Sequence, residues 1–207
     1  MIAPHASVGA VYARVAARNG CGALSVEELD RRFRQAWKRV DGFQHRREDW
    51  EALVDQVFQG LVPEPPSRTF FGELYDEFAR PDAWQVFDDV IPTLEWLAGA
   101  GMDLAVISNW DERLRPLLRG LRLDRYFNVI VVSGELGFPK PSPVIFDEAL
   151  RQLGCPASAA LHVGDELRDD FSGATAAGMQ ALHLRRDAES RDLQIQSLAG
   201  IPQWLSS

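Results

Sequence analysis

Residues 160–170 read ALHVGDELRDD: a short apolar run, one glycine, then the acidic cluster Asp165, Glu166, Asp169 and Asp170. A brief apolar run closed by a polar turn suits a buried strand. An aspartate just past the carboxyl end of a strand stands where open α/β sheets collect their ligands. The same grammar extends outward. Leu104–Ile107, Val129–Val132 and Gln180–Leu184 are further apolar runs, with helical segments expected near 92–99, 112–119, 143–153 and 170–177. Gly101 and Gly178 fall where helices are expected to stop. Strand-helix alternation over residues 85–207 predicts an α/β core, a Rossmann-like parallel sheet flanked by helices.

Residues 1–84 follow a different, all-helical pattern. Val8, Val11, Tyr12 and Val15 share one helical face. Ser25 and Glu28 have capping-box spacing ahead of a stripe formed by Leu29, Phe33, Trp37 and Val40. Trp50, Leu53, Val54, Val57 and Phe58 repeat the pattern, as do Phe70, Phe71, Leu74, Tyr75 and Phe78, across the proline-rich connection LVPEPPSR. These stripes are read as bundle core, and His45, Arg46, Arg47 and Trp50 as a solvated helix start.

Composition narrows the classes. With 46% hydrophobic and 25% charged residues, the 207-residue chain can bury an ordinary core. Its net charge of −8 disfavours nonspecific binding to nucleic acid or to an anionic membrane surface. Cys21 and Cys155 lack metal-ligand spacing and read as reduced thiols. No apolar run approaches the roughly 20 residues that span a bilayer. The start MIAPHASVGAVYARV lacks a signal-peptide pattern. A soluble cytoplasmic protein is expected.

Three polar motifs follow three of the expected strands: Ser108-Asn109 after LAVI, Lys140 within GFPKPSP after VIVV, and Asp165 with Asp170 after ALHV. Singly, each has a plain structural reading as a turn or cap, a solvated loop lysine, or acidic residues favoured by a helix N-terminus. Together they suit phosphoryl transfer, which needs positioning and charge neutralisation more than covalent help. A hydroxyl can hold phosphoryl oxygens, an ammonium is a compact counter-charge, and carboxylates can hold Mg²⁺.

In motif order and spacing, VISNWD (106–111), GFPKPSPVIFDEAL (137–150) and HVGDELRDDFSGATAAGM (162–179) resemble the haloacid dehalogenase superfamily, in its phosphatase-like branch with a helical cap. The resemblance implies a cap over 1–84, a core over 85–207, and a small phosphorylated substrate. It implies a phosphate-binding loop of Ser108 and Asn109, with Ser108 bonding the phosphoryl group and Asn109 shaping the loop. It also implies catalytic support from Lys140 and a Mg²⁺ site at Asp165 and Asp170, where Asp165 binds the metal and Asp170 supports the metal shell or orients Lys140. Glu166 and Asp169 are read as exposed.

One departure stands out. The family's first motif, a strand ending in an aspartate nucleophile, has no match in MIAPHAS, and Asp30 and Asp41 follow no strand. The resemblance makes that strand central, between the strands ending at Ile107 and Val163. Closure of the gap, filling by another segment or chain (a homo-oligomer included), or a natural start upstream are the alternatives, the last being the leading one. The polypeptide as given is therefore expected to be inactive. A 2-haloacid dehalogenase or a non-catalytic phosphate- or Mg²⁺-binding protein are the alternative readings.

Overall fold

In the computed structural model, which describes residues 1–40, 42–189 and 191–206, Ser7 and Ser25 each start a helix by accepting a backbone N–H three residues on. The first helix is Val8–Arg18 (α1) and the second Val26–Arg39 (α2). Only half of the expected capping box forms. Ser25 accepts from Glu28 N, but the Glu28 carboxylate takes the guanidinium groups of Arg31 and Arg32 at 2.6–2.8 Å. Charge-assisted bonds outcompete the neutral backbone donor. Asp41 lies outside the described residues.

Arg47–Phe58 (α3) and Phe71–Glu77 (α4) complete the first of two compact units, Ile2–Gln85. Its core gathers the predicted stripes: Val15, Leu29, Val57, Phe58 and Leu74 are essentially inaccessible. Burial of each such side chain contributes about 1.5–3 kcal/mol. The solvated helix start is corrected in part. His45 is 6% exposed, its ring edge-on to Phe43, and Trp50 stacks on Trp37. The guanidinium of Arg47 lies over the rings of Phe71 and Tyr75. Aromatic neighbours from distant segments draw these groups in.

A second correction concerns the N-terminus. Ile2–Pro4 is a short strand (β1), paired with Trp84–Val86 (β2). Three residues ending in proline carry too little pattern to be read as a strand.

The helices α1 and α2 meet without side-chain separation at Gly9. A Cβ built there would lie 2.4 Å from the Val26 carbonyl oxygen, and Gly9 N donates to Asp30 Oδ1 at 2.6 Å. The obstacle is backbone, so it cannot rotate away. Gly9→Ala is expected to cost about 1–3 kcal/mol, read as a fall in the thermal unfolding midpoint.

The second unit, Val86–Ser207 with Met1, alternates helix and strand. Val90–Gly99 (α5) leads to Ala105–Ser108 (β3), Leu114–Gly120 (α6), Val129–Val132 (β4) and Ser133–Leu136 (α7). Pro143–Leu153 (α8), Leu161–Gly164 (β5), Gly173–Ala176 (α9) and Gln180–Leu184 (β6) follow, then Gln194–Ile195 (β7) and Ile201–Leu205 (α10). The ladders β3-β4, β5-β6 and β6-β7 are parallel, and they form two sheets, β3-β4 and β5-β6-β7. Among the described residues no ladder joins β3 to β5. One apolar core nevertheless serves both sheets, uniting Val129 and Val131 of β4, Ile145 and Phe146 of α8, and Ala181 of β6.

The helix expected over 170–177 is displaced. Leu167–Ser172 forms a π-helical turn before α9, with Phe171 N bonded to Glu166 O. The wider turn accompanies the folding back of Asp170 onto β5.

Asp89 ties the start of α5 to the C-terminal segment. It accepts two bonds from Arg186 (2.8 and 2.9 Å), one from Ser197 Oγ and one from Leu198 N. Burial pushes its carboxyl up, but Arg186, Ser197 and Leu198 outweigh it and bring the pKa from 3.8 down to about 2. A depressed carboxyl stabilises the fold above its unfolded pKa and loses that contribution as pH falls through its folded one. Asp89 therefore contributes on the order of 1–2 kcal/mol after solvent screening, lost between about pH 4 and pH 2. Asp89→Asn should lower stability at pH 7 and flatten this part of the acid-unfolding curve.

Candidate active site

Register sets the site. Ser108 pairs with Val132, and Gly164 with His183, so within each sheet neighbouring strands end level. Ser108 ends β3 half-buried, and among the described residues its hydroxyl has no hydrogen-bond partner. That hydroxyl is available to a ligand.

Asn109 has another task. Its Oδ1 accepts from Lys140 N at 2.7 Å and its Nδ2 donates to Lys140 O at 3.0 Å. Expected in the phosphate-binding loop as the residue that shapes it, Asn109 grips the lysine peptide, because its amide presents one donor and one acceptor just as a paired strand does.

The Lys140 ammonium donates to Ile107 O at 3.0 Å and to Asp170 Oδ1 at 2.5 Å. The two side chains are 11% and 5% exposed. Lys140 thus links the end of β3 to the carboxylate that lies against β5. His162 Nε2 lies 2.9 Å from the same Oδ1, and Glu166 N donates to Oδ2 at 3.1 Å. A Cβ at Gly164 would fall 2.1 Å from Asp170 Cγ, so only glycine leaves room for the carboxylate. Burial raises the Asp170 carboxyl, yet the His162 bond and the Lys140 charge hold it far below the ordinary value. Asp170 is ionised and fully engaged.

Of the two roles expected for Asp170, support of the metal shell or orientation of Lys140, its contacts fit the second: both its oxygens are occupied by protein donors. Asp165 is different. It is exposed; its backbone carbonyl is bonded to His183 Nε2 at 3.1 Å, and among the described residues its carboxylate has no hydrogen-bond partner. Glu166 is exposed as expected, whereas Asp169 is half-buried. Burial, then the charges of Asp165, Asp169 and Asp170, push the Glu166 carboxyl up; burial also raises that of Asp169. Excess negative charge on hard oxygen donors fits a divalent cation such as Mg²⁺, which keeps several waters and uses one or two carboxylates. Among the described residues no three His, Cys, Asp or Glu side chains converge as a complete cage.

The model of haloacid dehalogenase-like hydrolases matches residues 8–178, every one of these loops included. The chain belongs to that family. It is 36% identical over 187 residues to human haloacid dehalogenase-like hydrolase domain-containing protein 3, covering 84% of this chain and 73% of the relative. It is 31% identical over 191 residues to a glyceraldehyde 3-phosphate phosphatase of Methanopyrus kandleri, covering 87% and 76%. A solved 2-haloacid dehalogenase from Pseudomonas syringae superposes with a TM-score of 0.70 at 28% identity, over 97% of this chain and 90% of that one.

In this hydrolase two further contacts hold the β3 loop. Ser133, fully buried at the end of β4, accepts from Trp110 N and donates to Trp110 O, both at 3.1 Å. Asp111, 1% exposed, pairs with the Arg113 guanidinium at 2.5 and 2.7 Å. Neither was legible beforehand. Ser133 carries no motif, and Asp-x-Arg after a strand looks like surface charge. His162 likewise carries no sequence signal beyond its place in a short apolar run.

Asn109→Ala removes both bonds to the Lys140 peptide. About 1–3 kcal/mol of stability should be lost, read by urea unfolding, while Asn109→Asp should retain only the acceptor half.

Proposed function

We propose that this hydrolase is built as a Mg²⁺-dependent phosphatase for a small phosphorylated metabolite, with residues 1–84 as the cap that selects the substrate and 85–207 as the core. The observation that carries the reading is Lys140, an ammonium fixed between Ile107 O and a buried, ionised Asp170. A pre-positioned cation of this kind can offset charge on a phosphoryl group without reorganising. The Ser108 hydroxyl, at the end of the strand that Lys140 contacts, hydrogen-bonds the phosphoryl oxygens. Asn109, Ser133 and the Asp111–Arg113 pair keep that loop in place. Mg²⁺, held by the Asp165 carboxylate, supplies further neutralisation of phosphate charge when bound. Phosphatases among the relatives support the substrate class. The acidic composition of the loop that carries Asp165 and Asp170 counts against a haloacid bound without metal, whose carboxylate such a loop repels.

No aspartate precedes Asp30 in the chain, and the Asp30 carboxylate is bonded to Gly9 N. The proposal for these 207 residues is accordingly ligand binding without turnover, in a cytoplasmic setting, with the β3 and β5 edges, which no ladder joins among the described residues, favouring self-association.

Calorimetric titration should show binding of inorganic phosphate that strengthens with Mg²⁺. Lys140→Ala should weaken it about tenfold or more, the loss of one charge-assisted bond. Hydrolysis of p-nitrophenyl phosphate should stay at background and appear when a strand ending in aspartate is placed ahead of Met1. A folded, extended protein that dechlorinates 2-chloropropionate without metal and ignores phosphate esters would establish the dehalogenase reading instead.

A further inference from the structure

His162 belongs to none of the groups assigned above, yet it meets the one carboxylate on which Lys140 depends. Its Nε2 is 2.9 Å from Asp170 Oδ1, the same oxygen that receives the Lys140 ammonium. The histidine side chain is 11% exposed. The fully buried Phe146 of α8 stands edge-on to the imidazole, with ring centroids 5.3 Å apart and planes at 88°. His162 and Gly164 alternate by two along β5 and so share the strand face against which the Asp170 carboxylate lies.

We infer that His162 is a positioning residue: it donates Nε2–H to Asp170 and thereby fixes the carboxylate that sets the place of the Lys140 ammonium. The direction of the bond follows from chemistry. Asp170 is ionised and can only accept, so the proton resides on Nε2. Glu166 N holds the other oxygen, and without His162 Oδ1 keeps a single donor, the ammonium at the end of the long lysine side chain. The packing of Phe146 keeps the imidazole in its plane, so the donor is rigid. Apolar packing in the α8 core is thereby carried to a charged group in the site.

The inference rests on reading Lys140 as the counter-charge for phosphate, but its test follows the amine with no phosphate ester present. Failure of the phosphatase reading would leave that outcome unchanged. Lys38 and Lys140 are the chain's lysines, and Lys38 is exposed. Acetylation by an N-hydroxysuccinimide ester at one pH, followed by mass spectrometry, therefore compares Lys140 with an internal reference. In the unaltered protein Lys140 should react at least about tenfold more slowly than Lys38, as a buried charge-assisted bond requires.

His162→Phe keeps the ring and removes the donor. His162→Asn keeps polarity but places its nitrogen one bond too close to Cα. Both should raise the Lys140 rate severalfold at an unchanged Lys38 rate. His162→Gln, whose amide nitrogen is as many bonds from Cα as Nε2, should restore slow labelling. Unchanged Lys140 labelling in the Phe and Asn variants would overturn the inference, as would a Gln variant as reactive as the Asn one. Should the Phe variant fail to fold, the Asn and Gln pair decides alone.

Discussion

A carboxylate buried to 5% exposure retains its charge only if donors surround it, and the site of this hydrolase is arranged around meeting that requirement at Asp170. Its donors come from separate parts of the chain: Lys140 from the loop after β4, His162 from β5, and the Glu166 amide from the turn that follows β5. Several local features are consequences. The π-helical turn over Leu167–Ser172 accompanies the return of Asp170 to the strand, and Gly164 leaves the space it occupies. Lys140 in turn reaches Ile107 O, so one anion couples the ends of β3 and β5, strands that share no ladder among the described residues.

The remaining loops are held by side chains that stand in for backbone partners. Asn109 pairs with the Lys140 peptide as an adjoining strand would, and Ser133 gives Trp110 both a donor and an acceptor. The Asp111–Arg113 pair, buried within one turn of chain, makes the same loop costly to open, because removing either partner strands a charge. Rigid loops suit a site whose chemistry depends on preset charge. The helical unit is held differently, by interlocking apolar stripes and the close crossing at Gly9.

Much of this architecture was legible in the residues. The stripes of 1–84 and the alternation of 85–207 recur in the structure because a 3.6-residue or short-run apolar pattern has few ways to become buried. The motif loops carried the family, and Lys140 and Asp170 do meet. Their division of labour was less visible. Asp170 could be read as support for a metal or for Lys140, and Asn109 as part of the phosphate loop; their bonding partners join both to Lys140. Half of the Ser25–Glu28 box was lost to Arg31 and Arg32, a competition that spacing alone could not rank.

The sequence by itself determined the fold class, the family and the residue types available for chemistry, since these follow from local periodicity and from short motifs at strand ends. Tertiary structure alone decided which of those residues remain free. Among the described residues the Ser108 and Asp165 side chains make no hydrogen bond, whereas Asn109, Asp170 and the unheralded His162 are bound into a network spanning more than sixty positions of chain. The reason is physical: a side chain's chemistry is local to its residue, but its availability depends on donors and acceptors that folding brings from elsewhere.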